Sequence, residues 1–431
     1  MNQWNMLNIA YRNVFRYKWR TIITFSAISL CLASLIIAIS LINGADKQAL
    51  NNLINSQVSH ITLFKKGYFE KKDDLPLNLT IRDPGSIRSF LKKIPGVKAA
   101  ESRILFNAGL IIGMDELPCQ GVAIEPGADP LLFNIKESLV EGCWLAADEA
   151  KIVIGKNLAE DIGVSVGTRL TMKVITSSKD DAEGLSWDAM DVEIKGIFNT
   201  GNPTADSHFI IVPINLARGS LDLQARATEI AVRLHLHYQD DRGMAKVRRQ
   251  IEEMLKKDFP HRDLEVFHWK KFAGTLLVIS QLTRKRNIFL IFILLFIASM
   301  GIINTMLMSV FERTREIGMF AAMGMKPADI NRLFIYEGGV IGLLGSILGC
   351  ILGGLGSWYL EVNGFSIVAA GETIQKLTSS IFPLKDVFYA DLTVDLLVMT
   401  FVLGTVISLL ASLYPASKAA KLNPNEALRY I

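Results

Sequence analysis

Four apolar stretches, each about as long as the hydrocarbon core of a bilayer is thick, constrain this chain most strongly. We place the spans at residues 21–43, 284–310, 334–360 and 394–414, where the second interval includes the end of a helical stalk. A helix needs about 20 apolar residues to cross a membrane. A charge at the centre of such a helix would cost about 3 kcal/mol, and none of the four centres carries one. The sequence therefore predicts four transmembrane helices.

The first stretch has one alternative interpretation, a cleaved signal peptide. Ala38, Ile39 and Ser40 offer small residues near a possible cleavage position. The apolar run is longer than a typical signal core, however, and about 20 residues of basic sequence precede it. We therefore expect the stretch to be retained as a span.

Composition adds a second, water-soluble part to this membrane protein. Of 431 residues, 50% are hydrophobic and 20% are charged, and the mean hydropathy is +0.31. These values are too apolar for a soluble protein and too charged for spans alone. Residues 44–283, between the first two spans, are long enough for a compact domain. The predicted fold class is a four-helix α-helical membrane protein with a large α+β extracytoplasmic domain inserted between helices 1 and 2.

Basic residues near the span ends predict the orientation in the membrane. They cluster before span one, between spans two and three, and after span four: Arg12, Arg16, Lys18, Arg20, Arg313, Arg315, Lys326, Arg332, Lys418, Lys421 and Arg429. By the positive-inside rule, both termini and the 311–333 segment are cytoplasmic, and the loop 361–393 is outside. Aromatic and basic residues in segment 1–20 favour an amphipathic helix on the inner surface. The tail 415–431 restarts a helix with Asn423 as its cap, after span four ends at Pro415.

The outer domain contains two similar helix–strand segments, one near each end. Each begins with an acidic residue at the helix start and runs through a short amphipathic helix into a strand. In the second segment, the expected buried stripe is Met244, Val247, Ile251 and Leu255. We expect a lobe made of residues 44–104 and 226–283, with a strand-rich insertion at 105–225. The run "EIAVRLHLHY" predicts a strand that places His235 and His237 on one face.

The segment "FERTREIGMFAAMGMKPADI" directly follows span two and predicts a bent helical elbow. Glu312 and Arg315 can pair on a helix surface three residues apart, and so can Arg313 and Glu316. Gly324 suits a left-handed helix stop, and Pro327 then suits the start of a second short helix. Ile317, Phe320 and Ala321 are expected to leave a flat face of small residues. Met319, Met323 and Met325 would be available to a partner. The alternative is a charged loop that only anchors two spans.

Glycines in the third span predict close helix packing. Gly345, Gly349 and Gly353 recur every four residues, and such spacing lets helix backbones approach. A second row contains Gly338, Gly342 and Ser346. Packing explains both rows without a substrate groove.

Sequence signals for catalysis and metal binding are weak or missing. The chain contains no phosphate-binding G-x-x-x-x-G-K-[ST] loop and no H-E-x-x-H or C-x-x-C motif. His235 and His237 could hold a metal, but no carboxylate or cysteine completes the site, so a solvated sheet face is favoured. Cys119 and Cys143 could form a disulfide, which their spacing cannot establish. We expect no enzyme activity and no bound cofactor in this chain.

Three motifs resemble one transporter family: "FERTREIGMFAAMGMKPADI", the glycine-rich third span and the ending "YPASKAAKLNPNEALR". In the outer domain, "EGCWLAADEAKIVIGKNLAEDIGVSVGTRL" is similar to a family segment as well. The chain resembles the ABC transporter permeases that include MacB, the lipoprotein-release subunits LolC and LolE, and FtsX. The length, the large outer domain and the lack of a fused ATPase are most like the lipoprotein-releasing branch.

The resemblance implies partners and a mechanism. Two permease copies, identical or paralogous, would associate with two copies of a separate ATPase that binds ATP and Mg. The elbow would couple to that ATPase through Glu312, Arg313, Arg315, Glu316, Met319, Phe320, Met323, Gly324, Met325 and Lys326. Force would pass outward by mechanotransmission in the inner membrane, and a lipid-modified protein would be handed to a periplasmic carrier. MacB-like export of peptides, lipids or drugs, and FtsX-like regulation of a cell-wall hydrolase, remain alternatives.

Cargo contacts are expected at the outer ends of spans one and two. The candidate side chains are apolar and lie near the expected outer surface: Ile36, Ile37, Leu41, Phe289, Phe292 and Phe296.

Overall fold

The computed structural model describes residues 9–13, 16, 18–177, 185–366 and 387–422. Its helices are α1 (Lys18–Leu53), α2 (Pro84–Leu91), α3 (Lys156–Ile162), α4 (Pro203–His208), α5 (Ile214–Ser220), α6 (Asp241–Asp258), α7 (Gly274–Glu312), α8 (Thr314–Ala322), α9 (Pro327–Asn363) and α10 (Val394–Ala420). Its strands are β1 (Ile61–Lys65), β2 (Ile81–Arg82), β3 (Val97–Ile112), β4 (Asp115–Ile124), β5 (Leu139–Gly142), β6 (Lys151–Gly155), β7 (Arg169–Ser177), β8 (Leu185–Phe198), β9 (Phe209–Pro213), β10 (Arg226–Ala227), β11 (Glu229–Leu234), β12 (Leu264–His268), β13 (Phe365–Ser366) and β14 (Val387–Phe388).

The chain divides into two compact units. Of the described residues, those at 9–13, 16, 18–47, 279–366 and 387–422 form a helical unit, and those between 48 and 278 form an outer unit. Four helices, α1, α7, α9 and α10, are long and apolar enough to cross a membrane. The predicted fold class is confirmed.

Small residues set the packing of α9 in the helical unit. A Cβ added at Gly349 would lie 2.8 Å from the Cβ of Leu32 on α1, and one at Gly353 would lie 2.9 Å from the Cα of Ala33. On the other row, a Cβ at Gly342 would lie 2.2 Å from the Cβ of Ser408 on α10. The helix therefore approaches both neighbours at distances that larger side chains would prevent.

The outer unit is organised around one mixed sheet. Its strand order is β12-β1-β11-β3-β4-β9-β6-β8-β5, and β7 pairs with both β3 and β8. The long strand β3 pairs with β11 through its first half and with β4 and β7 through its second half. The predicted division into a lobe and an insertion stays a prediction, since β3 runs through both parts.

Helices α2 and α6 cover the part of the sheet formed by β1, β11 and β3. The amphipathic helix α6 buries Met244, Val247, Ile251 and Leu255, the stripe expected from its sequence. Its N-cap, Asp240, accepts a hydrogen bond from the backbone N–H of Gly243 at 3.1 Å. A separate core beside β4, β6 and β8 includes Ile104, Phe106 and Ile194.

A buried group of charges lies inside the outer unit. Arg103 donates from Nε and Nη2 to the two carboxylate oxygens of Asp129 at 2.7 and 2.8 Å. The guanidinium carbon of Arg103 also lies 3.3 Å from the centre of the Phe133 ring. Glu229, opposite Arg103 in the β11–β3 pairing, is buried as well. Burial raises the pKa of Glu229 to about 7, although the positive charge of Arg103 acts in the other direction.

Several local predictions were wrong. Strand β11 ends at Leu234, and a 3-10 turn at Leu236–Tyr238 follows, so His235 and His237 do not share a strand face. The turn forms because the N–H of Tyr238 bonds to the carbonyl of His235. Among the described residues, no group of three metal-ligating side chains occurs.

The disulfide that the sequence left open, between Cys119 and Cys143, does not form in this structure. Cys119 and Cys143 are both free, the first buried and the second exposed. The thiol of Cys119 donates to the carbonyl of Ala108 at 3.3 Å, across the β3–β4 pair.

Two helices extend further than predicted. Helix α10 passes through Pro415 to Ala420, because proline removes one N–H and the neighbouring turns continue. Helix α9 begins at Pro327, as predicted, but continues through the third span instead of forming a separate short helix. The predicted helix start at Asn423 lies outside the described residues.

Candidate functional site: the elbow

The elbow, residues 311–327, joins α7 to α9 through the short helix α8. The backbone leaves the helical conformation at Arg313, with φ −105° and ψ 16°. Helix α8 ends at Ala322, and Gly324 follows with φ +92°. This left-handed conformation favours glycine, so the predicted stop at Gly324 is confirmed.

Arg313 and Glu337 form a buried ion pair that connects the elbow to α9. Nη1 of Arg313 donates to Oε1 and Oε2 of Glu337 at 2.9 and 3.1 Å. Only 4% and 5% of their side-chain surfaces are exposed. The guanidinium carbon of Arg313 also lies 5.5 Å from the ring centre of Phe334, one turn before Glu337.

Arg313 is shared with a second carboxylate, and the contacts continue to the segment before α1. Nε of Arg313 donates to Glu316 at 3.1 Å, so the predicted pairing of these two residues is confirmed. Arg16 donates to the other oxygen of Glu316 at 2.8 Å, and Asn13 donates to Glu337 at 2.7 Å. We use the name elbow cluster for Asn13, Arg16, Arg313, Glu316 and Glu337.

The outward surface of α8 differs from the predicted one. Ile317 is buried, and Ala321 and Met325 pack against the core of the helical unit. These residues face inward because the polar contacts of Arg313 and Glu316 fix the rotation of the helix. Phe320 is half-buried. Of the predicted coupling residues, six are exposed: Glu312, Arg315, Met319, Met323, Gly324 and Lys326.

Met319 and Met323 give this surface its apolar part. They are 48% and 75% exposed and lie four residues apart, on one side of the helix. Methionine side chains adapt to irregular partner surfaces. A mixed patch of methionine and charged side chains suits docking to another protein.

The candidate cargo-contacting residues separate into two groups. Ile36 is fully buried against Gly353, so its side chain serves helix packing in this structure. Ile37 and Leu41 are half-buried. On α7, Phe289, Phe292 and Phe296 are all more than half exposed, and the rings of the last two stack at 6.5 Å.

The chain matches two known domain families. Residues 21–254, more than half of the chain, match the MacB-like periplasmic core domain. Residues 288–424 match the FtsX-like permease C-terminal domain. The chain belongs to the FtsX/MacB family of ABC transporter permeases. It is therefore a multi-pass transmembrane subunit with a periplasmic-type outer domain, and the permease part that it shares with the family is not itself catalytic.

Relatives of this permease include lipoprotein-releasing proteins and a macrolide exporter. The lipoprotein-releasing system transmembrane protein LolE of Haemophilus influenzae is 26% identical, over 94% of this chain and 93% of the relative. The LolC protein of Neisseria meningitidis serogroup B is 23% identical, over 95% and 94%. The macrolide export ATP-binding/permease protein MacB of Pasteurella multocida is 24% identical, over 97% of this permease and 59% of the relative.

Sequence reasoning missed three members of the elbow cluster: Asn13, Arg16 and Glu337. One signal was present in the sequence. Glu337 stands at the start of an apolar span, and a charge in that position usually has a specific partner. The partner itself could not be read from the sequence, because Arg313 and Glu337 meet only when the elbow bends.

Proposed function

We propose that this chain is the permease subunit of an ABC transporter that extracts lipid-modified proteins from the outer leaflet of the inner membrane. A carrier in the periplasm would then receive the protein. Two copies of a separate ATPase, which binds ATP and Mg, would drive a pair of permeases that are identical or paralogous. Both termini and the elbow would face the cytoplasm.

The match to LolE and LolC carries this proposal. It extends over more than nine-tenths of this chain and of both relatives, so it includes the outer domain as well as the spans. The match to MacB is similar in identity and covers 59% of that relative. The lipoprotein-releasing relatives therefore resemble this chain along nearly their whole length, and their role in lipoprotein release is the best guide to its cargo.

The elbow and α7 supply a path for force. The exposed face of Met319, Met323, Glu312 and Arg315 offers a docking surface for the ATPase. Helix α7 is one continuous element of 39 residues that ends at the elbow, which at 1.5 Å per residue is about 58 Å long. A movement of the elbow would be passed along this rod towards the outer domain without a channel for substrate.

The exposed phenylalanines of α7 fit the proposed cargo. Phe289, Phe292 and Phe296 lie on the least buried of the four spans. Moving an acyl chain from the bilayer into water would cost about 0.8 kcal/mol for each CH₂ group, and an apolar protein surface can take up the chain without that cost. An aromatic face on an unpacked helix is a suitable place for such chains to leave the bilayer.

MacB-like export of peptides or amphiphiles is a second candidate, favoured by the match of residues 21–254 to the MacB-like core domain. FtsX-like control of an extracytoplasmic hydrolase is a third, favoured by the match of residues 288–424. Both would use the same elbow, and they differ from the first proposal in what meets the outer domain.

One reconstitution separates these functions. The permease, its ATPase and any second permease are placed in proteoliposomes that contain a fluorescent triacylated protein. Release to a soluble carrier is measured with ATP. The control cargo has its acylated cysteine replaced by serine. We expect ATP-dependent release of the acylated form only. Equal handling of both forms, or release of neither while a hydrolase binds, would contradict lipoprotein extraction.

A further inference from the structure

The elbow cluster includes a part of the chain that the proposed function does not use: the helical segment before the first span. Asn13 lies on this segment and contacts Glu337, 324 residues away in sequence. Arg16 contacts Glu316, 300 residues away. The cluster therefore connects three parts of the chain: the N-terminal segment, the elbow and α9.

The contacts within the cluster differ in their exposure to water. Arg313 and Glu337 are almost fully buried, whereas 59% of the Arg16 side chain and 28% of the Glu316 side chain are exposed. Breaking a buried ion pair leaves a charge without compensation and is strongly unfavourable. A partly exposed pair is weak because water replaces its contacts easily. The first pair holds the elbow on α9, and the second joins the N-terminal segment to the elbow through a weaker, more exposed contact.

The position of Arg313 in the backbone makes the cluster sensitive to movement of the elbow. Arg313 is the residue where the helix bends between α7 and α8. The hydroxyl of Thr314 lies within hydrogen-bond distance of the carbonyls of Val310 and Phe311, at 3.1 and 2.8 Å, beside the bend. The bend is thus a defined structure, and any change of its angle shifts the guanidinium that both carboxylates share.

We infer that Arg16 and Glu316 form a latch through which the elbow carries the N-terminal segment during the ATPase cycle. Arg313 and Glu337 are positioning residues that hold the latch against α9. Because α1 begins at Lys18, two residues after Arg16, a push on the elbow reaches the first span directly as well as through α7 and α9. This inference rests on the proposed function, in which an ATPase acts on the elbow.

Removing Arg16 tests the latch. In the reconstituted complex, ATP hydrolysis and cargo release are measured together for Arg16→Ala, for the conservative Arg16→Lys and for Arg12→Ala. Arg12 is a matched control, since it is exposed on the same segment and forms no hydrogen bond or ion pair with the elbow among the described residues. We expect release per ATP to fall about two- to fivefold in Arg16→Ala, as the loss of an exposed pair implies. Arg16→Lys should recover most of it, and Arg12→Ala should match the wild type.

The positioning residues give a larger effect. Glu337→Gln keeps the size of the side chain and removes the charge that Arg313 needs. Release per ATP should fall about tenfold or more in this variant. Unchanged release per ATP in Arg16→Ala, or an equal loss in Arg12→Ala, would overturn the latch, even if Glu337→Gln proved too unstable to purify.

A distance measurement separates failure of the latch from failure of lipoprotein release. Spin labels are placed at residues 12 and 323 after the native cysteines are replaced, and the distance is measured in the full complex with and without ATP. We expect it to stay constant in the wild type, because the latch moves both sites together, and to change with ATP in Arg16→Ala. A change in the wild type, or no change in either protein, would overturn the inference. Neither result depends on which cargo is transported.

Discussion

The outer unit and the helical unit each bury an arginine on carboxylates, but they do so in different ways. In the outer unit, Arg103 gives both of its bonds to the single carboxylate of Asp129. In the helical unit, Arg313 divides its bonds between Glu337 and Glu316, and the second carboxylate passes the contact on to Arg16. The first arrangement closes on itself and stabilises a fold. The second arrangement extends through Glu316 to Arg16 on the N-terminal segment, so it can transmit movement between separate parts of the chain.

Loss of the closed Arg103–Asp129 pair should have the largest effect on stability. Arg103→Ala leaves Asp129 buried without a partner and removes the contact with Phe133. We expect the outer unit to lose about 3–5 kcal/mol of its free energy of unfolding, measured by thermal unfolding of the full chain. In the control Arg169→Ala, 84% of the side chain is already exposed and its contact with Glu193 is 3.9 Å long. A loss below about 1 kcal/mol is expected there. Equal losses in the two variants would show that the buried pair has no special role.

A pH series examines Glu229, the buried carboxylate that lies beside the Arg103–Asp129 pair. Glu229 has a pKa of about 7 in the folded chain and about 4.5 when unfolded, so folding takes up a proton. Its contribution to stability is present below pH 4.5 and is lost as the pH rises through 7. This difference corresponds to about 3 kcal/mol. The advantage of Glu229→Gln over the wild type should therefore grow by about that amount between about pH 4 and pH 8.

Glu229→Gln must be compared with the wild type because the contribution of His60 to stability changes with pH in the opposite direction to that of Glu229. Burial lowers the pKa of His60 to about 4, so its contribution rises with pH from about 4 to 6.5 and partly hides the loss at Glu229 in the wild type. A difference between Glu229→Gln and wild type that stays constant with pH would contradict the assignment of Glu229.

Helix packing in the helical unit should depend on individual glycines. Gly349→Ala places a methyl group 2.8 Å from Leu32, and we expect a loss of about 1–3 kcal/mol. The matched control is Gly354→Ala on the same helix, where the nearest atom would be 3.7 Å away. That change should be neutral or stabilise the helix by up to about 1 kcal/mol. Thermal stability in detergent measures both, and equal stability of the two variants would argue against tight packing at Gly349.

The smallest effect concerns the cysteines of the outer unit. Burial raises the pKa of the Cys119 thiol to about 12, so it should not react with maleimide in the native protein. Exposed Cys143 should react, and a reducing agent should leave thermal stability unchanged. Mass spectrometry after labelling checks both points. A disulfide between the two residues would instead block all labelling of Cys143 before reduction.

The sequence predicted what depends on local pattern. Spans, the stop at Gly324, the stripe on α6 and the Arg313–Glu316 pair follow from hydrophobic periodicity, backbone preference or three-residue spacing. The pairs Arg313–Glu337 and Arg103–Asp129 could not be predicted in this way, since each forms only after distant elements have packed. The histidine strand was misread because an alternating pattern continues past Leu234, where the backbone turns. The helix through Pro415 was missed because proline weakens a helix without always ending it.

Photo-crosslinking from the elbow tests the central claim, that an ATPase acts on this permease at α8. A benzophenone amino acid is placed at residue 323, which is 75% exposed, and for comparison at residue 236 of the outer unit, which is 84% exposed. After illumination of the native membrane complex, we expect the ATPase to be attached at residue 323 and not at residue 236. Attachment of the ATPase at residue 236, or no attachment at residue 323 in an active complex, would contradict the account.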